Sequence, residues 1–568
     1  MQKGQIASKG YAIGKAFLLT KEELTVKEEP IENIEEAIES FQQAVQNSEQ
    51  DLLKIKDNMK DTLDSEHLEI FDAHLQMIKD PEIKKQTEVM IEADHIHPSF
   101  AYKKVTDQFI TIFQEMDDPY FKERASDIKD IQYRVLSYLL DKPIKDATAL
   151  EDDTIIIAHD LVPSDTASLD LNRVKGFITE VGGITSHTAI MARAFQLPAI
   201  VGVSNAVNTV KDGDLIIVDA INHDIIINPS DEEVNTAKKA LKDLKEKEKA
   251  LMEYQSKPTI FKDGKKLPLY ANIGSEKDIP FTQEQGAEGI GLFRTEFLFM
   301  DRTMMPKEED QIKAYEKVFK AYERVIVRTL DIGGDKSLPY LDQAKEDNPF
   351  LGHRAIRLCF EEKEMFKTQL RALMRAAKDS KQLDIMFPMI ARKDELLKAK
   401  AILEEAKKSL DKENLDYQKT IKVGIMIEIP SAALNARSLA KEVDFFSIGT
   451  NDLIQYTYAA DRMNDQVSYL YEPFDPTLLR LIHDVVSAAH KEDVEVGVCG
   501  EMAGDLHAGI ILAGLGIDEL SMSAGSILPL RKAFSEINFS DLKQTIDDFL
   551  QCDDAECVKD IVKPIYNE

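Results

Sequence analysis

Val423-Gly424-Ile425-Met426-Ile427-Glu428 and Phe445-Phe446-Ser447-Ile448-Gly449-Thr450-Asn451-Asp452 decide the fold. Each is a short, mostly apolar run that stops at, or shortly before, a carboxylate. Such a run suits a strand covered on both faces, as in a parallel sheet. Outward from this pair the same texture recurs at 267–270, 290–293, 325–330, 385–388, 495–498 and 519–522, with helical stretches between. About eight strand–helix units over ~250–310 residues predict a TIM (β/α)8 barrel.

A barrel gathers its chemistry at the C-terminal ends of its strands. Here those ends read Arg294; Arg328 followed by Asp331 and Lys336; Glu428; Asn451-Asp452; and Cys499-Gly500-Glu501, with Arg354 and Arg462 in loops nearby in sequence. Any one of these charges suits a structural ion pair. Together, several cations, two carboxylates and a thiol converge on one rim. Arginine and lysine bind phosphate and carboxylate. Two carboxylates suit a Mg²⁺ that substrate oxygens help to hold. Phosphoryl transfer needs chiefly positioning and charge neutralisation, which these groups supply. Cys499 is open to three roles at this stage: nucleophile, proton donor, or inert buried thiol.

A second stretch stands far from the rim in sequence: Gly182-Gly183-Ile184-Thr185-Ser186-His187-Thr188-Ala189-Ile190-Met191-Ala192-Arg193. It follows a strand-like piece at 174–178 and reads as a glycine turn into a helix. A helix N-terminus offers free N–H groups and the positive end of a dipole, so it favours an anion. Thr185 and Ser186 add hydroxyls, and Arg193 is a candidate counter-charge. That setting suits a histidine that carries a phosphoryl group. It equally suits a plain N-cap beside a surface histidine, and the stretch alone does not choose.

The chain has 568 residues, with 71 Lys+Arg against 102 Asp+Glu and a formal net charge of −31. A surface so acidic repels nucleic acid and anionic membranes and favours a basic partner. No apolar run reaches the ~18–20 residues that span a bilayer, and Met1 to Ala7 lack a signal-peptide core. The four cysteines, Cys359, Cys499, Cys552 and Cys557, are sparse and form no metal pattern, which suits a reducing cytoplasm better than a disulfide scaffold.

The expected organisation is a multidomain α/β chain. Residues 1–25 and 145–228 form one α/β domain. A glycine-free helical bundle, 26–144, interrupts it, with breaks at Asp80-Pro81 and His97-Pro98. A polar connector helix fills 229–257, starting at Pro229-Ser230-Asp231-Glu232-Glu233. The barrel occupies 258–568.

The stretch from Gly182 to Arg193 resembles the phosphohistidine signature of the phosphoenolpyruvate-utilising enzymes. Asp444 to Leu453, continuing from Gln455 to Arg462, resembles their second signature. The whole chain resembles the Enzyme I family of the bacterial sugar phosphotransferase system, including Phe71-Asp72-Ala73-His74-Leu75, Glu123 to Ile128 and the loop Asp331-Ile332-Gly333-Gly334-Asp335-Lys336. The resemblance implies that His187 takes the phosphoryl group of phosphoenolpyruvate on Nε2. It implies that Arg294, Arg328, Asn451, Asp452 and Arg462 hold that substrate, with Lys336 and Arg354 as further cations. It assigns Mg²⁺ to Glu428 and Asp452, and enolate protonation to Cys499. It implies a cytoplasmic homodimer joined through the barrel, with the small phosphocarrier HPr docking on 26–144 and no nucleic-acid or membrane partner. Ile184 departs from the arginine common in the family, which leaves Arg193 and backbone N–H groups to steady a phosphohistidine. The related dikinases and synthases need an ATP-binding domain ahead of the histidine, and the nitrogen-system paralogue a sensory domain; neither is expected here. A catalytically dead sensor fits poorly with His187, both carboxylates and Cys499 all present.

Overall fold

The computed structural model describes residues 4–19, 24–59, 74–115, 119–142, 150–161, 169–170, 173–183, 187–195, 197–300, 302, 304–333, 338, 340–341, 346–461, 464 and 466–566. It divides into two compact units, Met1–Glu246 and Lys247–Glu568.

The first unit holds a seven-stranded sheet in the order β1-β5-β4-β3-β2-β6-β7. Its strands are β1 (Gln5–Ser8), β2 (Tyr11–Leu19), β3 (Thr154–Ala158), β4 (Val174–Thr179), β5 (Ala199–Val201), β6 (Leu215–Asp219) and β7 (Asp224–Ile227). β2 to β5 run parallel, while β1, β6 and β7 pair antiparallel at the two edges. β3 is buried along its whole length, as a central parallel strand must be. Between β2 and β3 the chain makes helices α1 (Ile34–Met59), α2 (Pro81–Asp94), α3 (Pro98–Glu115) and α4 (Pro119–Leu139). They close on their own core around Phe41, Leu52, Ile91, Tyr102, Val105 and Val135. Asp80 caps α2 by accepting from the N–H groups of Glu82 and Ile83 at 2.8 and 3.2 Å, with Pro81 where a missing N–H costs nothing. Helix α5 (His187–Ala194) lies between β4 and β5 in the chain.

Helix α6 (Asp231–Met252) opens on a capping box. Ser230 N donates to Glu233 Oε2 at 2.7 Å, and Ser230 Oγ accepts from Glu233 N at 3.3 Å. The boundary between the two units falls inside this helix.

The second unit is a closed parallel barrel of eight strands, β8 to β15. They are β8 (Leu269–Ile273), β9 (Ile290–Arg294), β10 (Val325–Arg328), β11 (Leu383–Phe387), β12 (Ile421–Ile427), β13 (Phe445–Ile448), β14 (Glu495–Val498) and β15 (Glu519–Met522). The predicted fold class is the observed one. β8 starts two residues later than its apolar pattern suggests, because Leu267 N donates to the Thr259 carbonyl, beside the Ile260–Lys266 bridge, instead of joining the barrel ladder. Leu292, Ile326, Met386, Met426 and Phe445 pack together with Cys499, an inward-facing cluster that fills the barrel.

The sparse cysteines depart from expectation. Cys552 and Cys557 form a disulfide across a sequence separation of 5, with their Cα atoms 5.7 Å apart. The helix Phe539–Gln551 ends just before Cys552, and Cys557 sits in the first turn of Ala555–Val562. This helix–turn–helix brings the two thiols together, which spacing alone does not reveal.

The end of the barrel opposite the rim carries a second charged cluster. Arg324 lies 2.8 Å from Glu495, 3.4 Å from Asp384 and 3.8 Å from Glu519. Burial, only partly offset by Arg324, pushes the Glu519 carboxyl up to about 8, with Glu495, Asp384 and Asp518 adding like charge. Burial likewise lifts Asp384 to about 6, against Arg324 and Lys422. Tyr270 faces the same Arg324 guanidinium. A raised carboxyl pKa favours the folded state while the proton is retained. That stability is complete below the ordinary carboxylate range and is lost as pH climbs towards 8. Glu519→Gln keeps the shape without the charge. At pH 9 it should gain on the order of 1–3 kcal/mol over wild type and at pH 5 almost nothing, read from urea unfolding. Equal gains at both pH values would refute the assignment.

Candidate active site

The rim is assembled by barrel topology. Arg294 is the last residue of β9 and Arg328 the last of β10; Glu428 follows β12, Asn451 and Asp452 lie just past β13, and Cys499 follows β14. Residues scattered over two hundred positions therefore meet at one end of the barrel.

Charge pairing at the rim is uneven. Arg328 Nη2 lies 3.0 Å from Glu296 and its Nη1 3.0 Å from Asp331. Arg354 Nη2 donates to both Asp331 oxygens at 2.9 and 3.0 Å and lies 3.4 Å from Asp452. Its Nη1 donates to the Tyr456 hydroxyl at 3.2 Å. Burial works against the charge of both arginines, but the carboxylates around them outweigh it and hold both guanidiniums firmly cationic. Arg294 differs. Among the described residues its guanidinium has no hydrogen-bond or ion-pair partner, and burial, followed by the like charge of Arg328, pulls its pKa down. A largely desolvated guanidinium without a carboxylate is a prepared anion site.

Glu428 is 1 % exposed, and Oε1 accepts from Met389 N at 2.5 Å. Burial, then the charges of Asp452 and Asp331, hold its pKa well above the ordinary carboxylate range. Buried carboxylates that destabilise one another are what a hard dication relieves, and their oxygen donors suit Mg²⁺. Among the described residues no group of three or more His, Cys, Asp or Glu is poised around a metal, so two carboxylates would need substrate and water oxygens to complete the shell. Cys499 is buried, and burial pushes its thiol up to about 11, so it is protonated at neutral pH. Asn451 Oδ1 accepts from Glu501 N at 3.1 Å.

Two non-glycine residues beside the rim hold left-handed φ: Ala355 at 53° and Met389 at 55°. Such backbone costs about 1–3 kcal/mol and persists where its surroundings fix it. Gly333 has a φ of 114°, and a Cβ there would meet Arg354 Cβ at 2.4 Å; only glycine lets this loop lie against Arg354.

In the first unit, β4 ends at Thr179, and Gly182 turns the chain with a φ of 104° before α5 begins at His187. Glu180 braces this corner: Oε1 accepts from Val207 N at 3.0 Å and Oε2 lies 2.7 Å from His159 Nδ1. Thr185, Ser186, Lys336 and Arg462, with Ile184, lie outside the described residues, as do the side chains of His187 and Arg193. Glu296, Gln369 and Tyr456 were not singled out by sequence; the one available signal was the Arg294-Thr295-Glu296 run directly after an apolar strand.

Comparison with known proteins covers both units. Residues 247–539 match the family model described as the PEP-binding domain of PEP-utilising enzymes, 3–124 match the N-terminal model, and 150–223 match the mobile-domain model. The chain is 46% identical over 563 residues to a phosphoenolpyruvate-protein phosphotransferase of Staphylococcus carnosus, covering 99% of this chain and 98% of that one. The chain belongs to the phosphoenolpyruvate-protein phosphotransferases. The counterpart in Bacillus subtilis is 48% identical over 573 residues, covering 99% of each chain. The family membership makes this chain an enzyme that moves a phosphoryl group from phosphoenolpyruvate to protein. The mobile-domain match contains the Gly182 turn and α5; the PEP-binding match contains every rim residue named above.

Proposed function

We propose that this phosphotransferase works as a two-step relay that opens the sugar phosphotransferase system in the cytoplasm. Phosphoenolpyruvate binds on the barrel rim, its anionic groups held by Arg294, Arg328, Asn451 and Arg462, with Lys336 and Arg354 as further phosphate-side cations. The reading is carried by Arg294, a half-buried cation whose guanidinium has no carboxylate partner among the described residues, beside a carboxylate-rich rim. Neutral His187 uses its Nε2 lone pair to attack phosphorus in line. The bond from phosphorus to the enol oxygen breaks, and the electron pair leaves on the enolate. The protonated Cys499 thiol gives its proton to the enolate carbon, which yields pyruvate, and the thiolate recovers a proton from water. Glu428 and Asp452 would hold Mg²⁺, which when bound neutralises charge on substrate oxygens. The backbone N–H groups at the start of α5, with Thr185, Ser186 and Arg193, steady the phosphohistidine.

The histidine domain (1–25 and 145–228) must meet the barrel (258–568) first and a docked acceptor second, so the connector (229–257) serves as the swing arm. The helical insert (26–144) receives HPr, and the barrel joins two copies. Full-length protein incubated with ³²P-phosphoenolpyruvate and Mg²⁺, without ATP, should acquire acid-labile label. Protein that stays unlabelled until ATP is added would contradict the relay. Cys499→Ala should slow pyruvate release by about 10²-fold; an unchanged rate would remove Cys499 from the proton transfer.

A further inference from the structure

Beneath the rim lies a polar layer that the relay leaves unused. Glu296 is 0 % exposed, yet it contacts no solvent-facing partner. Its Oε1 takes two donors at once: Arg328 Nη2 at 3.0 Å and the main-chain N–H of Asp331, also at 3.0 Å. Oε2 is buried without a hydrogen-bond partner among the described residues. One residue earlier, Thr295 Oγ1 donates to the Arg328 carbonyl at 2.9 Å and accepts from Gln369 Nε2 at 3.0 Å. Gln369 Oε1 in turn accepts from Leu330 N at 3.0 Å. The backbone from Arg328 to Asp331 is thus held at three points, the Arg328 carbonyl and the N–H groups of Leu330 and Asp331, and the Arg328 side chain at a fourth.

Burying a full carboxylate is costly unless it is paired. Glu296 sits where that cost brings two results. It fixes the direction of Arg328, and it cancels the charge of Arg328 so that Arg294 is the cation left over. Arg294 itself feels Glu296 as an attractive charge, after burial and Arg328.

We infer that Glu296 is a positioning residue for phosphoryl transfer: its salt bridge to Arg328 and its hydrogen bond from Asp331 N aim the Arg328 guanidinium and lower the positive charge of the rim. The inference rests on the rim being the phosphoenolpyruvate site. Charge and aim make separable predictions. In Glu296→Gln the charge is gone but the shape remains. An anion should then bind more tightly, because a negative neighbour has left a low-dielectric site, while transfer slows because Arg328 loses the charge that holds its direction and keeps at most a weaker neutral acceptor.

The test is single-turnover pyruvate release by the full-length enzyme with phosphoenolpyruvate and Mg²⁺, with inorganic phosphate as the competing probe. For Glu296→Gln the expected rate constant falls at least tenfold and the phosphate inhibition constant falls at least threefold. Glu296→Asp keeps the charge but withdraws it by one methylene; its rate should fall while its phosphate inhibition stays within twofold of wild type. A merely structural role would shrink the amplitude of active enzyme and leave both constants alone. A rate constant for Glu296→Gln within twofold of wild type, or weaker phosphate binding, overturns the inference, and so does the failure of both variants to fold. Wild-type enzyme that releases no pyruvate sinks the substrate reading itself, which keeps the two failures distinct.

Discussion

His187→Ala should acquire no label from ³²P-phosphoenolpyruvate: transfer is expected to drop at least ~10⁴-fold, to the level of background hydrolysis. Alanine removes the proposed nucleophile while leaving a good helix former at the first position of α5, so the helix should survive. The rim residues belong to the second unit, Lys247–Glu568, and none of them is changed. Calorimetry should therefore show phosphoenolpyruvate binding to His187→Ala with wild-type affinity. Loss of label together with retained binding separates a missing acceptor from a broken substrate site. Label that persists on the variant would assign the phosphoryl acceptor to another residue. In wild type the labelling rate should fall in acid, because an imidazolium has no lone pair to offer.

What made this site legible was topology rather than any single residue. Eight apolar runs predict a barrel, and a barrel places the residue after every strand on one rim. Arg294, Arg328, Glu428, Asp452 and Cys499 could be gathered from sequence because each directly follows, or stands within a few residues of, the end of such a run. Glu296 lies only two residues beyond Arg294, but its job is to pair with Arg328 and Asp331 from another strand, and pairing across strands has no sequence signal. Gln369 is harder still, since it reaches the rim from the helix Lys363–Ala376, where a glutamine at helical spacing reads as surface. The left-handed backbone at Ala355 and Met389 was invisible because neither residue type favours that region; the surrounding contacts impose it. The Cys552–Cys557 disulfide was missed because composition speaks for the whole chain and a turn is local.

Arg294→Met is the sharpest test of the rim. Methionine keeps much of the apolar stem and deletes the charge. In an ordinary ion pair that change strands a carboxylate and destabilises the protein by about 3–5 kcal/mol. Arg294 has no carboxylate to strand among the described residues, and its burial disfavours its own charge. Removing it should leave the unfolding midpoint unchanged or slightly higher, by up to about 1 kcal/mol of relieved desolvation. Activity should move the other way. Phosphoenolpyruvate brings several negative charges into a site whose other described cations, Arg328 and Arg354, are already paired to Glu296, Asp331 and Asp452. Without Arg294 the substrate meets a rim with no uncommitted cation among those described, and kcat/KM should fall about 10³-fold, close to 4 kcal/mol of lost transition-state stabilisation. Arg354→Met should differ in stability: it leaves Asp331 and Asp452 short of a counter-charge and so lowers stability as well as activity. Thermal unfolding and steady-state kinetics on the two variants therefore distinguish a cation kept for the substrate from a cation kept for the fold. If Arg294→Met lost stability as Arg354→Met does, Arg294 would be structural, and the anion site would have to be sought elsewhere on the rim.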